Sequence, residues 1–327
     1  MPESWKSPEV PTPPTDPVIA WHAALPQARP APRDRYWLHL LLFLATFATT
    51  TLVGGGHWLG FTSEFGSRAA TASAGTLAVQ GLWYSLTLLA ILTAHEFGHY
   101  LACRYYRMNA SLPYFLPMPI GFVGTFGAVI RIRQPFTAKG PLFDVGVAGP
   151  FAGFLVAVPA LLVGLTMSTV APLPPVFSGA ELGEPLLFKL AERLVWGDIP
   201  EHLSLNLHPM AFAAWIGLLV TALNLLPVGQ LDGGHIAYAA LGRHSLYVTI
   251  GTIAVALGLC FYSASWILWT VLLVAMLSFF GWRHPPTWDD HVPLDRTRLW
   301  LALLALVVFV VCFTPAPIEP LDLIRPQ

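Results

Sequence analysis

Two histidines and a glutamate, His95-Glu96-Phe97-Gly98-His99, sit inside one long apolar stretch, and a further acid, Asp232, sits inside another as Leu231-Asp232-Gly233-Gly234-His235. An acid at the centre of an inserted helix costs about 2.5–3.5 kcal/mol, so acids at such depth are normally retained for function. On a helix, residues four apart share a face one turn apart. The H-E-x-x-H spacing therefore presents two imidazoles together with a carboxylate beside them. That is a metal site with a built-in base, and a purely structural pair of histidines would have no need of Glu96.

A catalytic zinc takes three protein ligands and leaves its fourth position to water, whose pKa falls to near 7. His95 and His99 supply two nitrogens. Glu96 is placed to take a proton from that water and pass it to a leaving amine rather than to bind the metal. The third ligand comes from elsewhere in the chain. Asp232 is the best candidate, as the other carboxylate within the apolar runs; His235, three residues on and able to share a helical face with it, is the rival or a supporting partner. Before them, Asn224-Leu225-Leu226-Pro227 places an amide just ahead of a helix break. Asn224 either hydrogen-bonds substrate backbone and a developing oxyanion or caps the broken helix.

The elements that carry these residues follow from composition. Of 327 residues, 55% are hydrophobic and 11% charged, and several apolar runs approach the roughly 20 residues needed to cross a bilayer. The fold expected is an all-α polytopic membrane protein of about seven transmembrane helices. The spans run near Tyr36 to Val53, Thr76 to His99, Val145 to Val170, His208 to Leu226, Leu246 to Tyr262, Ser265 to Gly281 and Arg298 to Thr314. The first 35 residues carry nine prolines and no apolar run, and read as a disordered cytosolic tail. They do not form a signal peptide, and Glu3, Glu9 and Asp16 argue against an organelle transit sequence, so the plasma (inner) membrane of a bacterium is the simplest home. With the N-terminus cytosolic, thirteen of the 17 basic residues fall on the inner side and four outside, in keeping with the positive-inside rule. Both half-sites then lie toward the cytosolic side and can meet.

The chain divides accordingly: the tail, 1–35; a first span with its outer loop, 36–75; a metalloprotease core, 76–240, with an outer loop at 171–207; and C-terminal spans, 241–327. Between the second and third spans, Gly124 to Arg133 alternates with period two and is rich in β-branched residues, which predicts a hairpin near 112–134. Extended backbone at membrane depth survives when buried in protein or lining a cavity. The hairpin either shields the site or offers an open edge, through residues such as Gly127 and Ala128, to an extended peptide. Leu186 to Trp196 reads as a surface helix with Leu187, Leu190 and Leu194 on its apolar face. Gly149 and Gly153 read as small residues for close helix packing. The near-neutral balance, 17 basic against 18 acidic residues, offers no field for nucleic acid. Cys103, Cys260 and Cys312 show no paired spacing, so neither a disulfide framework nor a thiolate zinc site is expected.

These residues resemble the site-2 protease family of intramembrane zinc metalloproteases. His95 to His99 is similar to its first motif, and Asn224 to Pro227 followed by Leu231-Asp232-Gly233 to its second. Gly124 to Arg133 and Phe143 to Pro150 are similar to segments of bacterial and plastid members, and the likeness covers about Trp83 to His235. The resemblance implies a three-helix catalytic core in which His95, His99 and Asp232 bind one Zn2+, Glu96 activates water and Asn224 helps hold substrate. It implies hydrolysis of transmembrane protein substrates within the lipid bilayer, in regulated intramembrane proteolysis, usually after trimming by an upstream site-1 protease or with an adaptor. No PDZ insertion is evident in the outer loop, so the tail or a partner is left to filter substrates. The competing reading of intramembrane histidines and acids is a divalent-metal transporter or binding protein. Transporters carry such groups along a path open to both sides, often with internal repeats; here they gather at one side and no repeat is found.

Overall fold

The structure, a computed structural model, describes residues 34–324 except 175 and 201. The expected proline-rich tail lies almost wholly outside these residues. In chain order the elements are α1 (Tyr36–Thr62), α2 (Ala74–Tyr105), β1 (Tyr114–Pro117), β2 (Thr125–Val129), α3 (Lys139–Thr166), β3 (Thr169–Pro172), β4 (Val176–Leu182), α4 (Leu186–Trp196), β5 (Leu203–Asn206), α5 (Pro209–Asn224), α6 (Asp232–Leu241), α7 (Ser245–Tyr262), α8 (Ser265–Phe280), α9 (Arg296–Cys312) and β6 (Ile318–Ile324). A 3-10 turn, Gly242–His244, joins α6 to α7.

Local chemistry sets several of these bounds. Ser73 accepts the Thr76 N–H at the start of α2, Asp295 accepts the Arg298 N–H at the start of α9, and His208 caps α5 ahead of Pro209 at its first position. Each satisfies donors that a helix start leaves orphaned. α3 begins at Lys139, six residues before the expected Val145. The lysine is buried there because its Nζ donates to the carbonyls of Asp290, at 2.5 Å, and Val292, at 3.2 Å.

Lipid tails supply no hydrophobic drive between helices, so contact depends on close packing and hydrogen bonds. α1 and α2 meet through Gly54, Gly55 and Gly81; a Cβ on Gly81 would lie 2.2 Å from the Thr51 carbonyl oxygen. α2, α3 and α5 share a core that includes Tyr84, Leu88, Ile91, Leu142, Leu161, Trp215 and Leu218. α5 and α6 are separated by a break at 225–231, and a Cβ on Gly233 would sit 2.0 Å from the Leu225 carbonyl oxygen. The glycine lets α6 start hard against the end of α5.

Among the described residues four apolar stretches are long enough to cross a membrane: α1, α2, α3 and the run Asp232–Tyr262 that joins α6 to α7. α5 and α8 are apolar but shorter. The expectation of about seven spans is therefore met by four on length and composition. The described residues are mostly helical rather than all-α, because three two-stranded antiparallel sheets accompany the helices among them. One is the expected hairpin, β1 with β2, pairing Tyr114 with Val129 and Phe115 with Ala128. The other two, β3 with β5 and β4 with β6, are formed by the segment between α3 and α5 and by the C-terminal end of the described residues. They had no local signal, since β4 finds its partner some 140 residues later in the chain. α4 matches the expected surface helix in extent, but its buried residues are Phe188 and Ala191, while Leu190 and Leu194 are exposed. The three cysteines are unpaired.

Candidate metal centre

His95 and His99 lie on α2 one turn apart, with ring centroids separated by 4.8 Å. Asp232 is the first residue of α6, and the break after Asn224 delivers it to them. Its Oδ2 stands 3.3 Å from His95 Nε2 and 3.4 Å from His99 Nε2, and the two Nε2 atoms are 3.1 Å apart. A tetrahedral zinc with bonds of about 2.0–2.1 Å has ligand-to-ligand edges of about 3.3–3.4 Å. The three separations fit a triangular face of that polyhedron. Both histidines are buried and the Asp232 side chain is 15% exposed.

The surroundings orient the donors. His99 Nδ1 donates to the Val145 carbonyl at 2.7 Å, which leaves the Nε2 lone pair for a metal. On α3, a Cβ at Gly149 would fall 2.0 Å from His99 Nε2, in the space the imidazole fills, and one at Gly153 would meet His95 Cβ at 3.2 Å. The two small residues read from sequence as general packing thus each make room for one imidazole. Pro150, which follows Gly149, has no N–H to give the Gly146 carbonyl. Among the described residues His95, His99 and Asp232 are the one group of three ligand side chains close enough to share an ion. The donor set, two neutral imidazoles and a carboxylate, suits Zn2+.

Glu96 is buried beside the two histidines, with the backbone of Ile130, just past the end of β2, near its carboxyl. Asn224 places its Nδ2 3.3 Å from His95 Nε2. His235 stands outside the three-residue group: its Nδ1 lies 2.9 Å from His284 Nε2, and the His284 ring stacks on Tyr238. Gly127, at φ +100°, and Ala128 lie on β2, and a Cβ at Gly127 would meet nothing within 4 Å. Sequence reasoning missed the Val145 carbonyl, the Ile130 backbone and His284. Backbone groups leave no letter in a sequence, and His284 lies in a polar stretch between apolar runs that carried no motif.

Two histidines of one helix and an aspartate of another, joined inside apolar segments with a glutamate alongside, define a membrane-embedded metal centre of the hydrolytic kind. The chain belongs to Peptidase family M50, whose model matches residues 83–265. The resemblance drawn from the motifs is borne out. The chain is 32% identical over 252 residues to "Probable zinc metalloprotease EGY2, chloroplastic" of Oryza sativa subsp. indica, covering 74% of this chain and 44% of that protein. It is 31% identical over 241 residues to the Arabidopsis thaliana protein of the same name, covering 72% and 42%. "Probable zinc metalloprotease EGY1, chloroplastic" of Arabidopsis thaliana is 33% identical over 240 residues, covering 70% and 42%. The chain spans less than half the length of these curated relatives.

One expectation is corrected here. The bacterial plasma membrane, with its cytosolic assignment of the two faces, is overturned by relatives that are plant proteins named chloroplastic. Hydropathy and basic-residue bias report that a chain enters a bilayer and in which sense, but not which bilayer. The case against a targeting segment rested on three acids, too few to decide it.

Proposed function

We propose that this chain is an intramembrane zinc metalloprotease that hydrolyses peptide bonds in or near transmembrane segments of membrane proteins. The observation that carries the reading is the convergence of His95, His99 and Asp232 within 3.1–3.4 Å of one another, with Glu96 buried beside them. His95, His99 and Asp232 would hold the ion. Zinc, when bound, supplies Lewis acidity that makes water acidic enough to attack at neutral pH. Glu96 takes the proton from the attacking water and delivers it to the leaving amine nitrogen. Asn224, with its amide nitrogen beside His95, donates to the substrate carbonyl oxygen as charge develops on it. Substrate lies extended along the free edge of β2 past Gly127 and Ala128, since an extended backbone adds to an open strand edge through main-chain hydrogen bonds. A helical substrate hides its amides, so it unwinds locally before it can be cut. His235, paired with His284, supports the site without binding the ion.

Residues 76–240 form the protease core, built on α2, α3 and the broken pair α5–α6. The chain is read as making seven crossings, with α5 and α6 together making one. Three long-range ties then join ends on one side: the 281–295 segment with Lys139, Arg298 with Asp144, and β6 with β4. The names of the relatives support a chloroplast membrane as the setting, and a site-1 protease or adaptor acting upstream fits a filter located outside the core. The metal-transport alternative has no such support, because the ligands gather at one point beside a base.

The test compares the parent with Glu96→Gln on single-span substrates in liposomes, with zinc measured in both. The expected result is full zinc and cleavage reduced by about 10²–10⁴-fold. Undiminished cleavage by Glu96→Gln would defeat the mechanism, and zinc flux across the liposome through either form would favour transport.

A further inference from the structure

The tip of the β1–β2 hairpin is held by contacts that metal binding does not require. Three consecutive backbone carbonyls each accept a hydrogen bond from a different side chain. Phe122 is held by His57 Nε2 at 2.8 Å, Val123 by the Tyr84 hydroxyl at 2.8 Å and Gly124 by Thr49 Oγ1 at 2.7 Å. Thr49 and His57 belong to α1, two turns apart, and Tyr84 belongs to α2, where it is fully buried. Gly124 has φ +81°, and a Cβ there would come within 2.9 Å of Thr50 Cα, so the tip backbone lies directly on the backbone of α1. Beneath it the two helices are themselves fastened, Thr50 Oγ1 to Ser85 Oγ at 2.7 Å.

β2 starts at Thr125, the residue after the last held carbonyl, and just past its far end the Arg131 N–H donates to Ser111 Oγ at 2.9 Å while the Arg131 carbonyl accepts the Ser111 N–H at 3.0 Å. The chain is thus pinned at both ends of the strand, from Thr125 to Arg131, roughly 23 Å at 3.3–3.4 Å per residue. Its other edge has no strand partner among the described residues, and Phe126 is 75% exposed. A strand edge offers an added peptide several registers, and a slip of two residues preserves which side chains face which way. Something must choose among them, and the fixed end of β2 is the part of the fold able to do so.

We propose that His57, Tyr84 and Thr49 are positioning residues that clamp the hairpin tip and thereby set the register in which a substrate strand meets the metal centre, choosing the bond that is cut. The inference rests on the reading of β2 as the substrate edge. Without the clamp the site still binds its ion and Glu96 still works, but the edge drifts relative to both. The consequence is loss of a single cutting position rather than loss of the chemistry.

The experiment uses the full chain in liposomes with two variants that each delete one hydroxyl, Tyr84→Phe and Thr49→Val, and with Thr49→Ser, which keeps it. Two quantities are read: amide hydrogen exchange over residues 118–130, and the product ends, by mass spectrometry, from a tagged leucine/alanine span interrupted by Gly-Gly. Tyr84→Phe and Thr49→Val are expected to raise exchange at least tenfold and to spread the cut over neighbouring bonds, chiefly two residues away, with zinc per chain unchanged. Thr49→Ser is expected to match the parent. Exchange that stays at the parent's level, a single unmoved cut in both deletion variants, or a uniform fall in product at that same bond overturns the clamp. Absence of any Glu96-dependent product from the parent sinks the protease reading instead, and the exchange measurement then decides the clamp by itself.

Discussion

His99 depends on one residue that bonds nothing to it. Its imidazole occupies the space a Cβ at Gly149 would take, while its Nδ1 is tied to the Val145 carbonyl one turn earlier on α3. Gly149→Ala therefore forces the ring away from Asp232. An alanine inside a helix is ordinarily favourable by up to about 1 kcal/mol over glycine, so a loss of function here does not come from a weakened helix. We expect zinc affinity to fall about 10–100-fold, the range typical when a ligand's orienting contacts are lost, with secondary structure intact by circular dichroism. Parent-like affinity in a competition titration against a chelator would show that His99 does not need the space. The ligands themselves were legible in the sequence because H-E-x-x-H is a local pattern on a single helix. The reason for Gly149 was not, because the ring it accommodates belongs to another helix some 50 residues earlier.

The segment between α8 and α9, residues 281–295, is tied by polar contacts to the start of α3 and to α6. Asp289 accepts the Lys139 N–H at 3.0 Å, Trp288 N–H donates to the Thr137 carbonyl, and Tyr238 donates to Asp290 Oδ1 at 2.8 Å. The Tyr238 hydrogen bond, with the charges of Lys139 and Arg243 behind it, holds the Asp290 carboxyl below the ordinary carboxylate range. The folded value is thus lower than the roughly 3.9 of an unfolded aspartate. The contact's contribution is complete above that unfolded value and disappears as pH falls through the lower folded one. Amide exchange over 281–295, corrected for intrinsic rates, should stay flat from pH 8 to pH 5 and rise below about 4. Asp290→Asn should raise it at pH 7. Flat exchange in the asparagine variant would remove Asp290 from the docking. The segment carries His284 to His235, so the docking also places the histidine pair beside the metal ligands. Apolar periodicity predicted the helices on either side of this segment but nothing of its docking, since hydrogen bonds across 150 residues leave no periodic trace.

The proposed seven crossings put both ends of three long-range ties on one face of the bilayer: the 281–295 segment with Lys139, Arg298 with Asp144, and β6 with β4. The prediction is made with single cysteines in a chain freed of Cys103, Cys260 and Cys312. Ser67→Cys and Ala264→Cys should react with a membrane-impermeant maleimide from one side, and Tyr105→Cys and Trp282→Cys from the other. Ala264 and Trp282 labelling from the same side would remove α8 as a crossing. Length alone recognises four spans because α5 and α8 are 16 residues each and α9 is 17. On that proposal α5 is short because α6 finishes the crossing it begins; the interruption sets Asn224 and Asp232 beside His95.

Composition, apolar run length and one local motif were sufficient to establish a membrane-embedded chain with a two-histidine metal site and a base. Those signals are carried by neighbouring residues and by the cost of placing acids in lipid. The donors that hold the hairpin tip, the strand pairs β3–β5 and β4–β6, and the glycines that make room for imidazoles were decided only by the folded chain. Each depends on atoms from segments tens to hundreds of residues apart. Which partner fills a given space is settled by packing, and packing is a property of the assembled helices rather than of any one stretch.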